Sequence, residues 1–170
     1  MSAIKLPEPG LLATFVNSMS ITKESPCGTG NIDGTCNTSM AVVSYVMNIA
    51  GSNFLKIYNG PKCKHGYPTS AGKMAYMLDN YAMHAIKGPC TPDWQTLLRG
   101  SVALLMYHKL WGENVHAFDV WVSNKCAFYP ELMTQGTAKE LWIWPIGKSP
   151  KLASAKKPQH HHAKHKVAIF

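Results

Sequence analysis

A thiol and an imidazole are the side chains of this sequence best placed for covalent chemistry. Cys36 follows a Gly/Asn/Asp/Thr-rich stretch, Gly28 to Thr35, and precedes an apolar helical pattern that runs to about Ala50. In the first turn of a helix the partial positive charge lowers a cysteine pKa and favours the thiolate, so Cys36 is the candidate nucleophile. Such a nucleophile needs a base, usually a histidine held by a third polar group, and the members converge from separate elements. His65 lies in a Gly/Pro loop and His84 inside a helical pattern, whereas His108 and His116 bracket the turn from Lys109 to Asn114. His116 opens the strand-like run His-Ala-Phe-Asp-Val-Trp-Val and is the candidate base. Asp119 lies three residues on, which on an ideal strand is the opposite face. A bulge between His116 and Trp121 is expected to bring it round as the orienting carboxylate. Asn124 has the parity of His116 and is the alternative orienter.

These groups need a scaffold of helices followed by strands. Leu11, Leu12, Phe15, Val16 and Met19 follow Pro7 and Pro9 at helical spacing and predict a short amphipathic helix within residues 1–22. Met40, Val43, Met47 and Ala50 recur at intervals of three and four, with Cys36 on the same stripe and Gly51 as the stop. Asn53 to Pro68 reads as loop. A further helix starts near Thr69 or Ser70, carries Met74, Met77, Leu78, Tyr81 and Ala85 on one face and stops at Gly88-Pro89. Three strand-like runs follow, Val102 to Tyr107, Val115 to Val122 and Leu141 to Trp144. Helices first and strands after predict an α+β fold with an antiparallel sheet, the nucleophile helix packed upon it.

The net charge of +8 is concentrated in residues 148–170, where six lysines and four histidines meet no acidic residue. The preceding 147 residues carry only +2, unlike a domain that docks nucleic acid through its fold, so nucleic acid is not expected except through the tail. We expect one domain, 1–147, and a basic His/Lys-rich flexible tail, 148–170. No apolar stretch long enough to span a membrane is present, and Lys5, Glu8 and two prolines interrupt the region where a Sec-type signal would need an apolar core. Cys27, Cys36, Cys63, Cys90 and Cys126 make an odd set, satisfied by one reactive thiol and two disulfides. Zinc at Cys63, His65 and Cys90 is the competing account. There is no C-x-x-C pair and the spacing matches no common site, so no metal or other cofactor is expected.

Thr35-Cys36 through Ser44-Tyr45-Val46-Met47-Asn48-Ile49-Ala50-Gly51 resembles the cysteine helix of the type VI secretion amidase effectors, family four in particular. Val102 to Tyr107, the turn, and His116 to Trp121 resemble that family's G-H-x-x-L-W histidine strand, and Leu141-Trp142-Ile143-Trp144-Pro145 its closing L-W-I-x-P strand. The blocks keep the family's order over roughly residues 30–146. Counted back from the Ser-Tyr-Val-Met-Asn run, the family's cysteine falls at Ser39, about one helical turn after Cys36; Val42 stands near the family's arginine and Val115 at its glycine. The resemblance implies a papain-like, NlpC-like cysteine amidase that cuts stem-peptide cross-links of bacterial peptidoglycan, with Cys36 as nucleophile and His116 as base. It further implies an immunity protein as partner and export without a Sec signal, with action in the periplasm or cell wall of a target bacterium. A non-catalytic, disulfide-stabilised secreted or structural protein with a polyanion-binding tail is the alternative.

Overall fold

The computed structural model describes residues 3–18, 27 and 38–147. Cys36, the Gly28–Thr35 loop, Met19 and the 148–170 tail lie outside the described residues. The described residues divide into two compact units, parted between His84 and Ala85.

The first unit is helical. Helix α1 (Pro9–Ser18) begins with proline at its first position, where a missing N–H is no loss, and the Glu8 carboxylate accepts from the N–H groups of Gly10 and Leu11 at 3.1 and 2.7 Å. Helix α2 (Thr38–Ile49) is buried almost all round: Met40 to Ser44, Val46 and Met47 are all buried, as expected of a central helix. Gly51, with φ of 97°, closes it, its N–H going to the Asn48 carbonyl and that of Ser52 to Met47 at 3.1 and 3.0 Å. This is a Schellman stop, and it meets the expectation drawn from Gly51. A single-turn α3 (Phe54–Ile57) interrupts the expected loop, followed by an isolated bridge between Lys62 and Pro68. Helix α4 (Ala71–Tyr81) is capped by Ser70, whose hydroxyl accepts from the Lys73 N–H at 3.1 Å. It buries Met74, Ala75, Met77 and Leu78, and its end at Tyr81 is earlier than the expected stop at Gly88-Pro89.

The second unit is a five-stranded antiparallel sheet in the order β1-β5-β2-β3-β4, from β1 (Ile86–Pro89), β2 (Val102–Leu110), β3 (Ala117–Val122), β4 (Lys125–Cys126) and β5 (Ala138–Ile146). Short helices α5 (Trp94–Leu97) and α6 (Pro130–Thr134) join the strands. The central β2 is buried without interruption from Ala103 to Tyr107, because both of its faces are covered. One face carries Ala103, Leu105, Tyr107, Trp121, Leu141 and Ile143 into a core shared with Trp94, Leu98, Met133 and Cys126. On the other face, Leu104, Met106, Phe118, Val120 and Trp144 are buried, and the row continues into His108, His116 and Trp142. No helix among the described residues is long and apolar enough to cross a membrane.

Candidate active site

His116 immediately precedes β3, and the β2–β3 register that pairs Tyr107 with Ala117 brings it opposite His108. The two rings stack at 4.6 Å with an interplanar angle of 16°. His108 in turn stacks on Trp142 at 5.2 Å, and the Lys87 ammonium lies over that indole at 4.0 Å from the ring centre. The column is thus built from three adjacent strands, β3, β2 and β5, with β1 supplying the cation.

Both nitrogens of His116 are engaged. Its Nδ1 accepts the Lys109 backbone N–H at 3.0 Å, which leaves the proton on Nε2, 3.1 Å from Asn114 Oδ1. The Lys109 N–H is available because Lys109 adopts a left-handed backbone, φ of 57°, and drops out of the ladder; the next ladder bond runs from Leu110 N–H to the Val115 carbonyl at 2.8 Å. One extra residue on β2 is therefore accommodated there as a bulge. Protonating His116 would put a second hydrogen against the Lys109 N–H, and burial, followed by the charge of Lys109 itself, holds its pKa below the usual histidine range.

His108 is held lower still, to about 4, first by burial and then by His116, Lys109, Lys139 and Lys87. Its Nε2 lies 3.6 Å from Glu140 Oε1, while its Nδ1 is buried with no hydrogen-bond partner among the described residues. Glu140, itself pushed up by burial, also accepts from Trp142 Nε1 at 3.3 Å. Because the folded His108 resists a proton that the unfolded chain accepts near the ordinary value, it contributes stability above about pH 6.5 that is lost as pH falls toward 4. The expected result is a His108 ring titration midpoint near 4 by NMR, and a loss of stability between pH 6.5 and 4 that His108→Gln flattens.

Asp119 does not reach this column. The β2–β3 register runs unbroken from Ala103↔Trp121 to Tyr107↔Ala117, so no bulge lies between His116 and Trp121, and Asp119 pairs with Leu105 on the opposite face. There the carboxylate is fully enclosed. Oδ1 accepts from the Val120 and Phe128 N–H groups at 2.7 and 2.9 Å, and Oδ2 from the Tyr129 N–H at 2.9 Å, with the Tyr107 hydroxyl 3.2 Å away. Burial pushes the carboxyl up to about 6 despite these donors. The Tyr107 hydroxyl is also 3.1 Å from Cys126 Sγ, whose thiol is pushed up to about 12, and the phenol is raised well above its usual range. Asn124 has left the strand altogether. It occupies the two-residue β3–β4 turn with Ser123, both at positive φ (63° and 52°), and its Oδ1 accepts the Gly100 N–H at 2.7 Å.

The contacts made by His116 thus come from Asn114, the Lys109 backbone and His108, none of which was singled out as a site residue. His108 and His116 flanking one turn was the usable signal, since a hairpin sets such residues opposite one another. None of the described cysteines, Cys27, Cys63, Cys90 and Cys126, forms a disulfide, so the expected pair of crosslinks is not made among the described residues. Cys90 lies 3.7 Å from the Leu132 carbonyl and is buried in the sheet unit, where burial pushes its thiol up to about 11.

A helical unit followed by an antiparallel five-stranded sheet is the α+β fold class that the order of elements predicted. Among solved structures, the chain shares the fold of the type VI effector Tae4 from Enterobacter cloacae, with a TM-score of 0.56 over 86% of this chain and 100% of that one, at 17% identity. The type VI effector–immunity complex Tae4–Tai4 from Enterobacter cloacae matches with a TM-score of 0.56 over 83% of this chain and 99% of that one, at 15% identity. At 17% and 15% identity the likeness is one of fold. No family model and no curated protein matches the chain.

Proposed function

We propose that the chain is a peptidoglycan amidase, a cysteine hydrolase that cuts stem-peptide cross-links and is delivered into a target bacterium by type VI secretion. The observation that carries this reading is the extent of the fold shared with the effector Tae4, which is spanned from end to end. Fold alone does not assign chemistry, so the reading rests equally on the thiol and the imidazole available to do it. In this scheme residues 1–147 act as one amidase domain, and 148–170 form a basic extension that raises residence on the anionic wall. The pairing of Tae4 with Tai4 in a solved complex supports a cognate immunity protein as the partner.

In the proposed mechanism Cys36 attacks the amide carbonyl and His116 takes the thiol proton, as general base. The depressed basicity of His116 favours this over a resting thiolate–imidazolium pair. Proton uptake at Nδ1 requires the Lys109 N–H to let go, exchanging one local hydrogen bond for the thiol. The oxyanion is met by the Cys36 N–H. The sulfur forms a thioester, the proton passes from His116 to the departing amine, and water hydrolyses the thioester to restore the thiol. Asn114 is the side chain hydrogen-bonded to His116 and is assigned a positioning role. The test is digestion of purified peptidoglycan by the full chain, with products resolved by chromatography and mass spectrometry. Release of cross-linked stem peptides as uncrosslinked ones is expected, and intact sacculi after prolonged incubation with reduced protein would sink the reading.

A further inference from the structure

One side-chain cluster, in the helical unit, has no place in the amidase scheme. Cys27 and Cys63, distant in sequence, bring their sulfurs to 3.8 Å, and a ring nitrogen of His65 completes a set whose donor atoms all lie within 4.8 Å of one another. The hairpin loop that carries two of the three donors is tightly defined. The Cys63 N–H bonds the Tyr67 carbonyl at 2.8 Å, the Gly66 N–H bonds the Cys63 carbonyl at 2.9 Å, and Gly66 sits at φ of 89°, where a side chain would be strained. Cys63 and His65 thereby project from alternate positions of one turn. Both sulfurs are buried, against Ala41 of α2 and the ring of Tyr67, while His65 is exposed.

We infer that Cys27, Cys63 and His65 form a zinc site. Two sulfurs bound to one tetrahedral Zn²⁺ at about 2.3 Å sit about 3.8 Å apart, and the Cys27 to Cys63 separation is 3.8 Å. Two thiolates and an imidazole are a donor set that selects Zn²⁺ over the hard divalent cations, and they leave one vertex of the tetrahedron for water. Binding releases two thiol protons to solvent, and Zn²⁺ with two thiolates and a neutral imidazole carries no net charge, which suits sulfurs that are buried. The ion would fasten Cys27 to the Lys62–Pro68 hairpin beside Ala41 of α2. Cys90, which the sequence grouped with Cys63 and His65, belongs to the sheet core and takes no part.

The histidine-rich tail also binds metals, so the test uses Co²⁺, whose thiolate charge-transfer absorption a histidine-only site cannot produce. Reduced full-length protein titrated with Co²⁺ is expected to develop that band at about one equivalent per chain and to lose it on adding Zn²⁺. The band is expected to persist in Cys90→Ser and to vanish in Cys63→Ser. His65→Ala alters an exposed side chain and leaves the fold intact; it is expected to weaken Co²⁺ binding by more than the about 10- to 100-fold that follows loss of an outer-shell partner. Absence of the band in the reduced wild type, an unchanged band in Cys63→Ser, or equal affinity in His65→Ala would each overturn the site. So would a Cys27–Cys63 disulfide in freshly isolated protein whose reduction gives no Co²⁺ binding. Peptidoglycan cleavage does not enter these measurements, so the two proposals fail independently.

Discussion

Cys36→Ala and His116→Ala are each expected to lower the rate of peptidoglycan cleavage by about 10⁴-fold or more, and the double variant is expected to be no worse than either single one. A fall of that size corresponds to at least about 5 kcal/mol of transition-state stabilisation, more than removal of one oxyanion donor produces. The non-additivity is the informative part. If thiol and imidazole act as one unit, the second removal takes nothing further, whereas two unrelated defects multiply. Ser39→Ala is the matching control, because the resemblance places the family's cysteine at that position. Ser39 is buried near the start of α2, and loss of activity there with retention in Cys36→Ala would move the nucleophile one helical turn. The pH profile carries a second signature. His116 must be neutral to accept the thiol proton, and burial together with Lys109 depresses its pKa below 6.5, so kcat/KM is expected to hold on the acid side beyond the point where an ordinary histidine is half protonated. The His116 titration followed by NMR in Cys36→Ala checks the same quantity without turnover.

The stretches of the chain that were legible in the sequence are those where one physical signal dominated. Apolar spacing with a glycine stop marked α2, and β-branched and aromatic runs marked β2, β3 and β5. Residues 86–89 were read as a helix end because of Gly88-Pro89, yet they form the edge strand β1, where Pro89 needs no ladder donor on its outer side. The β4 strand is two residues long and its Ser123-Asn124 turn lacks the glycine that signals a tight hairpin, so nothing in the sequence announced it. The same turn explains the displacement of Asn124: parity along a strand is meaningless once the chain reverses at that residue. For Asp119, simple alternation gave the observed face, and the added bulge was placed on the wrong strand. The actual bulge is at Lys109, a lysine at positive φ, which no residue preference would select. It is imposed by the hairpin and the imidazole that accepts the freed N–H.

Asp119→Ala is expected to destabilise the protein by about 3 kcal/mol or more, since each buried donor left without an acceptor costs about 1 to 3 kcal/mol. Substitution strands the backbone donors of Val120, Phe128 and Tyr129 in a pocket closed to water, while the Tyr107 hydroxyl keeps the Tyr129 carbonyl at 3.2 Å. The three backbone donors come from both sides of the β3–β4 hairpin, so the carboxylate ties the end of β3 to the chain that leads into α6. Its titration sets how the effect varies with pH. The folded value, about 6, lies above the unfolded one of about 3.9, so the linked stability is fully present below about pH 4 and is lost as pH rises through 6. Denaturant unfolding of wild type and Asp119→Ala is therefore expected to show the widest gap near pH 4 and a narrower one by pH 8. Activity separates this structural role from an orienting one. A residue that holds the catalytic imidazole loses kcat on conversion to asparagine with little loss of stability, as happens when the carboxylate of a catalytic triad is replaced. With its oxygens committed to the opposite face of the sheet, Asp119→Asn is expected to do the reverse: a lower unfolding midpoint, with kcat per folded molecule within about tenfold of wild type.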